Sequence, residues 1–321
     1  MNKLVSGLIV LIVIAIAASL LAGRVWLPPS AFLSSPDSLA GLIIHDVRLP
    51  RTVLALITGA VLALSGAVLQ GFTRNPLAEP ALLGVSSGAA LGAVIAIYFG
   101  LAALSPVTGP LMGIAGALCA CALTFALGRN GTVALVLAGA AVSSLTAAGI
   151  ALALNFAPNP YAAYEIMTWL LGSLADKSWT QVLLVLPFVI LGGALLAMTG
   201  RALDALSLGE AQAASLGINI ARLSAMVVAG TALSVGAITS VTGAIGFIGL
   251  VAPHLVRPFV GYAPRRVLLP ATLAGALLLL CADIAARLVH TNPELRLGVF
   301  TSLLGTPFFF WLVMRIRRIA P

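Results

Sequence analysis

The chain has 321 residues, of which 61% are hydrophobic and only 8% are charged, and its formal net charge at pH 7 is +8. About a quarter of the residues of a soluble domain are charged, so this composition excludes a soluble globular protein and indicates a polytopic membrane protein. Neither of its two lysines, Lys3 and Lys177, follows a glycine, which excludes a P-loop ATPase, and no basic and aromatic surface suited to nucleic acid is present.

Charges, prolines and polar clusters divide the sequence into ten apolar segments, each long enough to cross the membrane as a helix. The segments are 4–22, 52–72, 81–99, 107–127, 132–154, 181–200, 221–239, 243–262, 267–289 and 297–314. The predicted fold is all-α, with one transmembrane domain over residues 1–321. The first segment follows Lys3 and could also be a secretory signal, but its 18-residue apolar run favours a retained helix.

Positive charge is distributed unevenly between the two faces. An even number of crossings puts both termini on one side. With that side cytoplasmic, the inner face has eleven basic residues and the outer face six, as the positive-inside rule requires. The inner set is Lys3, Arg74, Arg129, Arg201, Arg222, Arg257, Arg265, Arg266, Arg315, Arg317 and Arg318. The outer set is Arg24, Arg48, Arg51, Lys177, Arg287 and Arg296. The arginines of "HDVRLPR" are therefore predicted to face outward, where the rule disfavours them.

Small residues predict close packing between the helices. In "GVSSGAALG", Gly84, Gly88 and Gly92 recur every four residues and share one helix face, which lets helix backbones approach closely in lipid. "ITGAVLALSGAVLQG" in the second segment loosely echoes "VAGTALSVGAITSVTG" in the seventh, and the predicted topology runs these helices in opposite directions. This echo indicates two weakly similar inverted halves, which is a transporter architecture.

The longest inner loop, residues 201–220, contains one predicted short helix. Gly209 and Gly217 bracket "EAQAASL", and glycine is the usual residue at the end of a helix. A short, partly apolar helix suits docking into a groove of another protein. It could equally be an amphipathic helix at the lipid interface.

A second inner feature is the turn in "QGFTRNPLAEPALLG". Pro76 and Pro80 exclude a continuous helix here, and we expect the turn to expose Arg74, Asn75 and Glu79. From these residues alone, the stretch is a tight turn on the inner face.

Four stretches, taken together and in order, resemble one family. They are "RLPRTVLALITGAVLALSGAVLQGFTRNPLAEPALLGVSSGAALG", "SLGEAQAASLGINIARL", "GAIGFIGLVAPHLVR" and "ELRLGVFTSLLGTPFFFWLV". They resemble the FecCD-type permeases, the membrane subunits of ABC importers for iron chelates, haem and cobalamin, from about Arg48 to the C-terminus.

This resemblance implies ten helices and a multi-pass protein of the bacterial inner membrane with both termini cytoplasmic. It also implies a second permease subunit, most simply in a homodimer, two cytoplasmic ATPase subunits, and a periplasmic or extracellular substrate-binding protein. The chain is then a transport subunit and not an enzyme. It binds no cofactor or metal of its own, and ATP binds to the partner ATPase.

The resemblance also implies roles for particular residues. Arg48 and Arg51 match arginines that dock acidic patches of the binding protein, and Arg287 corresponds best to a third. The alternatives are a lipid headgroup contact for Arg48 and Arg51 and, for Arg287, a helical pair with Asp283 four residues before it. Residues implied to lie against the ATPase are Gly209, Glu210, Ala214 and Gly217. Residues implied at the cytoplasmic gate and path are Asn75, Leu77, Ser143 and Ser144.

The motif "ELRLG" departs from the family pattern ELPxG, since Arg296 stands where a proline is usual. Arg296 could add to docking, contact an anionic substrate or extend to the interface. The expected order of substrates is ferric siderophore, haem, then cobalamin, and the outward histidines His45 and His290 do not change it. An ion-coupled secondary transporter is the more distant alternative. It needs a carboxylate near the bilayer middle, whereas all nine acidic residues map to loops or helix ends.

Overall fold

The computed structural model describes residues 2–23, 25–128, 131–289, 291 and 294–317, and in 311–317 it describes only the side chain of Met314. All regular elements in these ranges are helices. They are α1 Asn2–Leu21, α2 Leu39–Leu42, α3 Leu49–Thr73, α4 Val85–Tyr98, α5 Thr108–Leu127, α6 Thr132–Asn155, α7 Pro160–Leu170, α8 Trp179–Met198, α9 Gly200–Leu206, α10 Glu210–Ser215, α11 Ile220–Thr242, α12 Ile248–Val260, α13 Pro264–Leu288 and α14 Leu297–Arg317. Arg24, Arg129, His290 and Arg318 lie outside the described residues.

Each of the ten predicted segments overlaps one of these helices, and the predicted all-α membrane fold is confirmed. Within the described ranges, seven helical stretches are long and apolar enough to cross a membrane, and Val85–Tyr98, Ile248–Val260 and Leu297–Phe310 are shorter apolar helices. Two of the short helices begin later than predicted, and a residue with positive φ directly precedes each of them. Gly84, with a φ of 72°, precedes α4, and Phe247, with a φ of 68°, precedes α12.

Two short helices of the structure, α7 and α9, were absent from the prediction. The inner loop 201–220 contains α9 as well as the predicted helix, now α10. Helix α7, which lies between the predicted spans 132–154 and 181–200, was not predicted. Its start has an ordinary signal, because the Asn159 side chain accepts a hydrogen bond from the Ala162 N–H at 2.9 Å and Pro160 occupies the first turn.

The two helices with echoing sequences lie at the centre of the bundle. The apolar window is 78% buried both in the stretch that contains α3 and in α11, against 11% in α1. The Ser65 and Thr231 hydroxyls are 3.1 Å apart and join α3 to α11. The inverted relation of the two halves stays a prediction.

Glycines bring the backbones of several helices into contact. A methyl group on Gly59 of α3 would overlap the carbonyl oxygen of Gly275 of α13, and one on Gly66 would overlap that of Gly249 of α12. On the predicted small face of α4, methyl groups on Gly88 and Gly92 would overlap atoms of α5. That face therefore packs within the bundle, as expected for helices that associate in lipid.

Candidate functional site

Two buried arginines bind the C-terminal end of α1. Arg48 donates from Nη1 to the Leu20 carbonyl at 2.8 Å and from Nη2 to the Val25 carbonyl at 2.6 Å. Arg287 donates from Nη1 to the Ser19 carbonyl at 2.9 Å. The last carbonyls of a helix lack partners within it and carry partial negative charge, so a guanidinium group satisfies both needs. Arg48 and Arg287, each 7% exposed, attach α1 to the bundle.

The local backbone around Arg48 is a widened helical turn. Residues Ile43–Arg48 form a π-helix, in which the Leu49 N–H donates to the Ile44 carbonyl. Pro50 follows and has no N–H to donate, which favours a break in the regular hydrogen-bond pattern at this point. The residues of "HDVRLPR" therefore belong to one continuous helical stretch, Leu39–Thr73, and do not form a loop before α3.

Arg51 lies one turn further along and is held by two carboxylates. Its Nε and Nη2 donate to Asp283 Oδ1 at 3.0 and 2.8 Å, and it also pairs with Glu294. Asp283 is fully buried, and its second oxygen is 2.7 Å from Arg287 Nη2. The helical ion pair of Arg287 with Asp283 that their spacing predicts is therefore present.

The cluster of Arg51, Asp283, Arg287 and Glu294 is electrically balanced, because two guanidinium groups face two carboxylates. Only its edge reaches the surface: the side chain of Glu294 is 27% exposed and that of Arg51 is 13% exposed. The structure thus places Arg48 and Arg287 in the interior and only Arg51 at the edge. Their docking role stays a prediction.

Acidic residues on the predicted outer face are the signal that sequence reasoning overlooked. Six are assigned there, equal to the six basic ones. They are Asp37, Asp46, Glu165, Asp176, Asp283 and Glu294. An outer face without net charge cannot attract a partner by its total charge, so only local groups can.

One such local group surrounds Arg296. Burial lowers the pKa of the Lys177 amine; the carboxylate of Asp176 opposes this shift and the nearby charge of Arg296 adds to it. The charges of Asp176 and Arg296 thus both act on Lys177, and this local group has two bases and one acid.

At the opposite end, α10 has the form predicted for the coupling segment. Gly209 precedes it with a φ of 114° and Gly217 follows it with a φ of 82°, so both positions favour glycine. Ala213 is fully buried and fixes the helix to the core, whereas Ala214 faces outward. On either side of α10, Leu208 is 64% exposed and Leu216 63% exposed. This pair is an apolar edge without cover in the single chain.

Glu210 links α10 to the rest of the inner end. Its carboxylate accepts a hydrogen bond from the Thr132 hydroxyl at the start of α6, at 2.7 Å. It also lies 4.0 Å from Arg74, the residue that ends α3. A displacement of α10 would therefore be transmitted to α6 and to the turn that follows α3.

That turn, residues 74–79, is compact. The Asn75 side-chain oxygen accepts a hydrogen bond from the Leu77 N–H at 2.9 Å, and the Pro76 carbonyl lies 2.8 Å from Nε2 of His254 on α12. Contrary to expectation Glu79 is only partly exposed; burial raises the pKa of its carboxyl, and a hydrogen bond from the Phe247 backbone opposes that shift. The turn is thus tied to α12.

The two serines of the predicted path point to different places. Ser143 Oγ lies 3.4 Å from the Ala81 carbonyl, just beyond the turn, and 3.4 Å from Ser87 Oγ of α4. The structure therefore brings Asn75, Leu77 and Ser143 into one region. Ser144 is exposed on α6, and its hydroxyl bonds only to the carbonyl of Ala140.

A cavity of about 590 Å³ lies between the end of α7, the stretch after α11 and the first half of α14. Its lining includes Leu171, Ala244, Gly298, Ser302, Thr306 and Pro307, and none of the residues that line it is charged. Such a wall can contact a large solute without holding it tightly.

Comparisons with known proteins agree over nearly the whole chain. The sequence model of the FecCD transport family matches residues 11–315. The vitamin B12 import system permease protein BtuC of Klebsiella pneumoniae subsp. pneumoniae is 39% identical over 314 residues, covering 97% of this chain and 93% of the relative. The BtuC protein of Salmonella typhimurium is 39% identical over 318 residues, covering 97% and 95%.

A solved structure described as an inward-facing conformation of a metal-chelate type ABC transporter superposes with a TM-score of 0.90 at 34% identity. The superposition covers 98% of this chain and 100% of that one. The chain belongs to the FecCD transport family, whose members are permease subunits of ABC transporters and leave ATP hydrolysis to a separate subunit.

Proposed function

We propose that this chain is the permease of an importer that moves a metal-containing chelate across the bacterial inner membrane by alternating access. The observation that carries this proposal is the 39% identity to vitamin B12 permeases over 97% of the chain. That similarity favours cobalamin. The likeness to a metal-chelate type transporter keeps a ferric siderophore as the second candidate, followed by haem.

The proposed assembly has two copies of this chain, two cytoplasmic ATPase subunits and an outer binding protein, with both termini of the permease cytoplasmic. The chain has no phosphate-binding loop, so energy must come from a partner. The inner end offers α10 with Leu208 and Leu216 as the ATPase contact. The turn 74–79, Ser143 and Ser144 form the inner gate and path, and the uncharged cavity beside α14 forms part of the path that substrate follows.

The transport test uses proteoliposomes that contain this permease, its ATPase and its binding protein. Radiolabelled cyanocobalamin, a ferric siderophore and haem are supplied separately, with ATP inside the vesicles. We expect ATP-dependent uptake of cobalamin above the other two. Uptake of the siderophore or of haem alone would replace cobalamin with that chelate, and failure of all three to accumulate above an ATP-free control would contradict the proposed function.

On the outer side, we assign docking of the binding protein to the cluster of Arg51, Asp283, Arg287 and Glu294. Arg51 is the residue that contacts the binding protein. Arg48 and Arg287 support it by holding α1 and Asp283 in place. A carboxylate of the binding protein can reach Arg51 by replacing Glu294, which is the exposed member of the cluster. One carboxylate then takes the place of another, so the buried charge of Arg51 stays paired throughout.

Glu294→Gln is therefore expected to strengthen association with the binding protein by a factor of about 1.4 to five, since a partly exposed ion pair contributes about 0.2 to 1 kcal/mol. Arg51→Gln is expected to weaken it. The measurement is the dissociation constant by surface plasmon resonance, with the permease in nanodiscs. Glu165→Gln, an exposed acid of the same face, is the matched control and should change nothing. If Glu294→Gln instead weakens association with the binding protein, Glu294 itself contacts the binding protein. It then does not merely occupy the place on Arg51 that a carboxylate of the binding protein takes.

A further inference from the structure

A second cavity, of about 300 Å³, lies at the end of the bundle that carries α10. It is enclosed by the last two turns of α3, Ser207 after α9, the end of α12 and the start of α13. The polar side chains around it are the guanidinium groups of Arg74 and Arg257, the amide of Gln70, and the hydroxyl groups of Ser207 and Tyr262. None of its lining residues is acidic.

Arg257 is fixed in place by neutral partners. Its Nη2 donates to Oε1 of Gln70 at 2.6 Å, and its Nη1 lies 3.4 Å from Nδ1 of His254. Gln70 is itself buried, at 3% exposure, and donates to the Gly249 carbonyl. Among the residues that the structure describes, Arg257 forms no ion pair. The Arg257 side chain is therefore held in one orientation, while no ion pair among the described residues neutralises its charge. A guanidinium group in this state can bind an anion without rearranging.

Further positive potential converges on the same cavity. Pro264 in its wall begins α13, a helix of 25 residues whose N-terminal end carries partial positive charge. Two acids of this end already have partners. Asp204 accepts a hydrogen bond from the Arg265 N–H at 2.9 Å, and Glu210 is bound by Thr132 and lies 4.0 Å from Arg74 in an exposed ion pair.

The cavity is polar at one end and apolar at the other. Ala67 lines its far wall seven residues before Arg74, so it extends along α3 for about 10 Å, and Val267 of α13 faces it from the opposite side. A free phosphate ion would occupy only the arginine end. A molecule with a phosphate group and an attached apolar part would fill the whole space.

We propose that this cavity binds the phosphate headgroup of an anionic phospholipid from the inner leaflet. Basic pockets between transmembrane helices on the cytoplasmic side are suited to such headgroups. The phosphate lies between Arg257 and Arg74, and the apolar part of the lipid, its acyl chains, begins along Ala67 and Val267. The bound lipid joins α3, α12 and α13 beside the turn 74–79, and this site does not depend on which chelate the permease transports.

Native mass spectrometry of the full-length chain, purified and exchanged into mixtures of phosphatidylglycerol and phosphatidylcholine, tests the proposal. We expect one retained phosphatidylglycerol per chain in the wild type and in Arg222→Gln, which removes an exposed arginine of the same face outside the cavity. Arg257→Gln and Arg74→Gln should each lower phosphatidylglycerol affinity about fivefold. Arg74 is half exposed, so its substitution should leave folding intact even if that of Arg257 does not.

Equal phosphatidylglycerol retention by Arg74→Gln, Arg257→Gln and Arg222→Gln would overturn the proposal. Displacement of the lipid by millimolar inorganic phosphate would assign the site to a free anion and would also overturn it. Loss of ATPase binding in Arg257→Gln with an unchanged lipid count would instead show that the arginines contact the partner protein. Each readout is independent of transport, so it is unaffected if the proposed substrate is wrong.

Discussion

Replacing Asp283 by asparagine is expected to destabilise the protein by about 3 to 5 kcal/mol, which is the cost of removing one partner from a buried ion pair. Asp283 is fully buried and neutralises both Arg51 and Arg287. Without it, Arg287 remains in the interior with only neutral partners, and Arg51 keeps only the partly exposed Glu294. The fold can relieve this cost only by releasing Arg287 and, with it, the end of α1.

The measurement is thermal unfolding of the purified chain in detergent, followed by loss of the monodisperse peak in gel filtration. Asp46→Asn is the matched control, since Asp46 lies on the same end of the bundle and is exposed. The double variant Asp283→Asn with Arg287→Gln should regain part of the loss, because it removes the buried cation that Asp283→Asn leaves without an ion pair. An unchanged melting temperature for Asp283→Asn would show that the cluster does not stabilise α1.

Introducing glutamate at both Leu208 and Leu216 is expected to reduce ATPase association by at least about a hundredfold. Burying one leucine side chain contributes about 1.5 to 3 kcal/mol, and the change also places two charges where the partner is apolar. The fold should survive, because both side chains are more than half exposed and the buried anchor of this segment is Ala213.

Co-purification of the ATPase with tagged permease, followed by a titration of the two components, measures this effect. Leu33→Glu is the control: Leu33 is 90% exposed on the predicted outer face, so the same substitution there should leave ATPase binding unchanged. Wild-type ATPase binding by the Leu208 and Leu216 variant would mean that α10 lies at the lipid interface, which is the alternative that the sequence left open.

The fold and the family were accessible from the sequence because both depend on patterns along the chain. Each of the ten apolar runs corresponds to a helix of the structure, and Gly209 and Gly217 mark the ends of α10. Helix α7 was not predicted, and the reason is local. Its apolar residues lie in a long stretch between two spans, and the signal of Asn159 followed by Pro160 was not used.

Patterns along the chain could not predict the partners of Arg48 and Arg51. Arg51 is paired with Asp283 and Glu294, which follow it by 232 and 243 positions. Arg48 binds carbonyl groups at the end of a helix that precedes it by 28 positions. No periodicity connects residues at such distances, although the equal numbers of outer acids and bases could have indicated that the outer arginines are neutralised within the chain.

By itself, the sequence determined that the chain is a polytopic membrane protein, where its ten predicted helices lie and which residues carry charge, and its resemblance to the FecCD-type permeases indicated a permease. These properties follow from side-chain chemistry and from order along the chain. Only the tertiary structure decided which arginines meet solvent and which are used internally. Whether a guanidinium group is free depends on which helix end or carboxylate packs against it, and packing brings these groups together from remote parts of the chain.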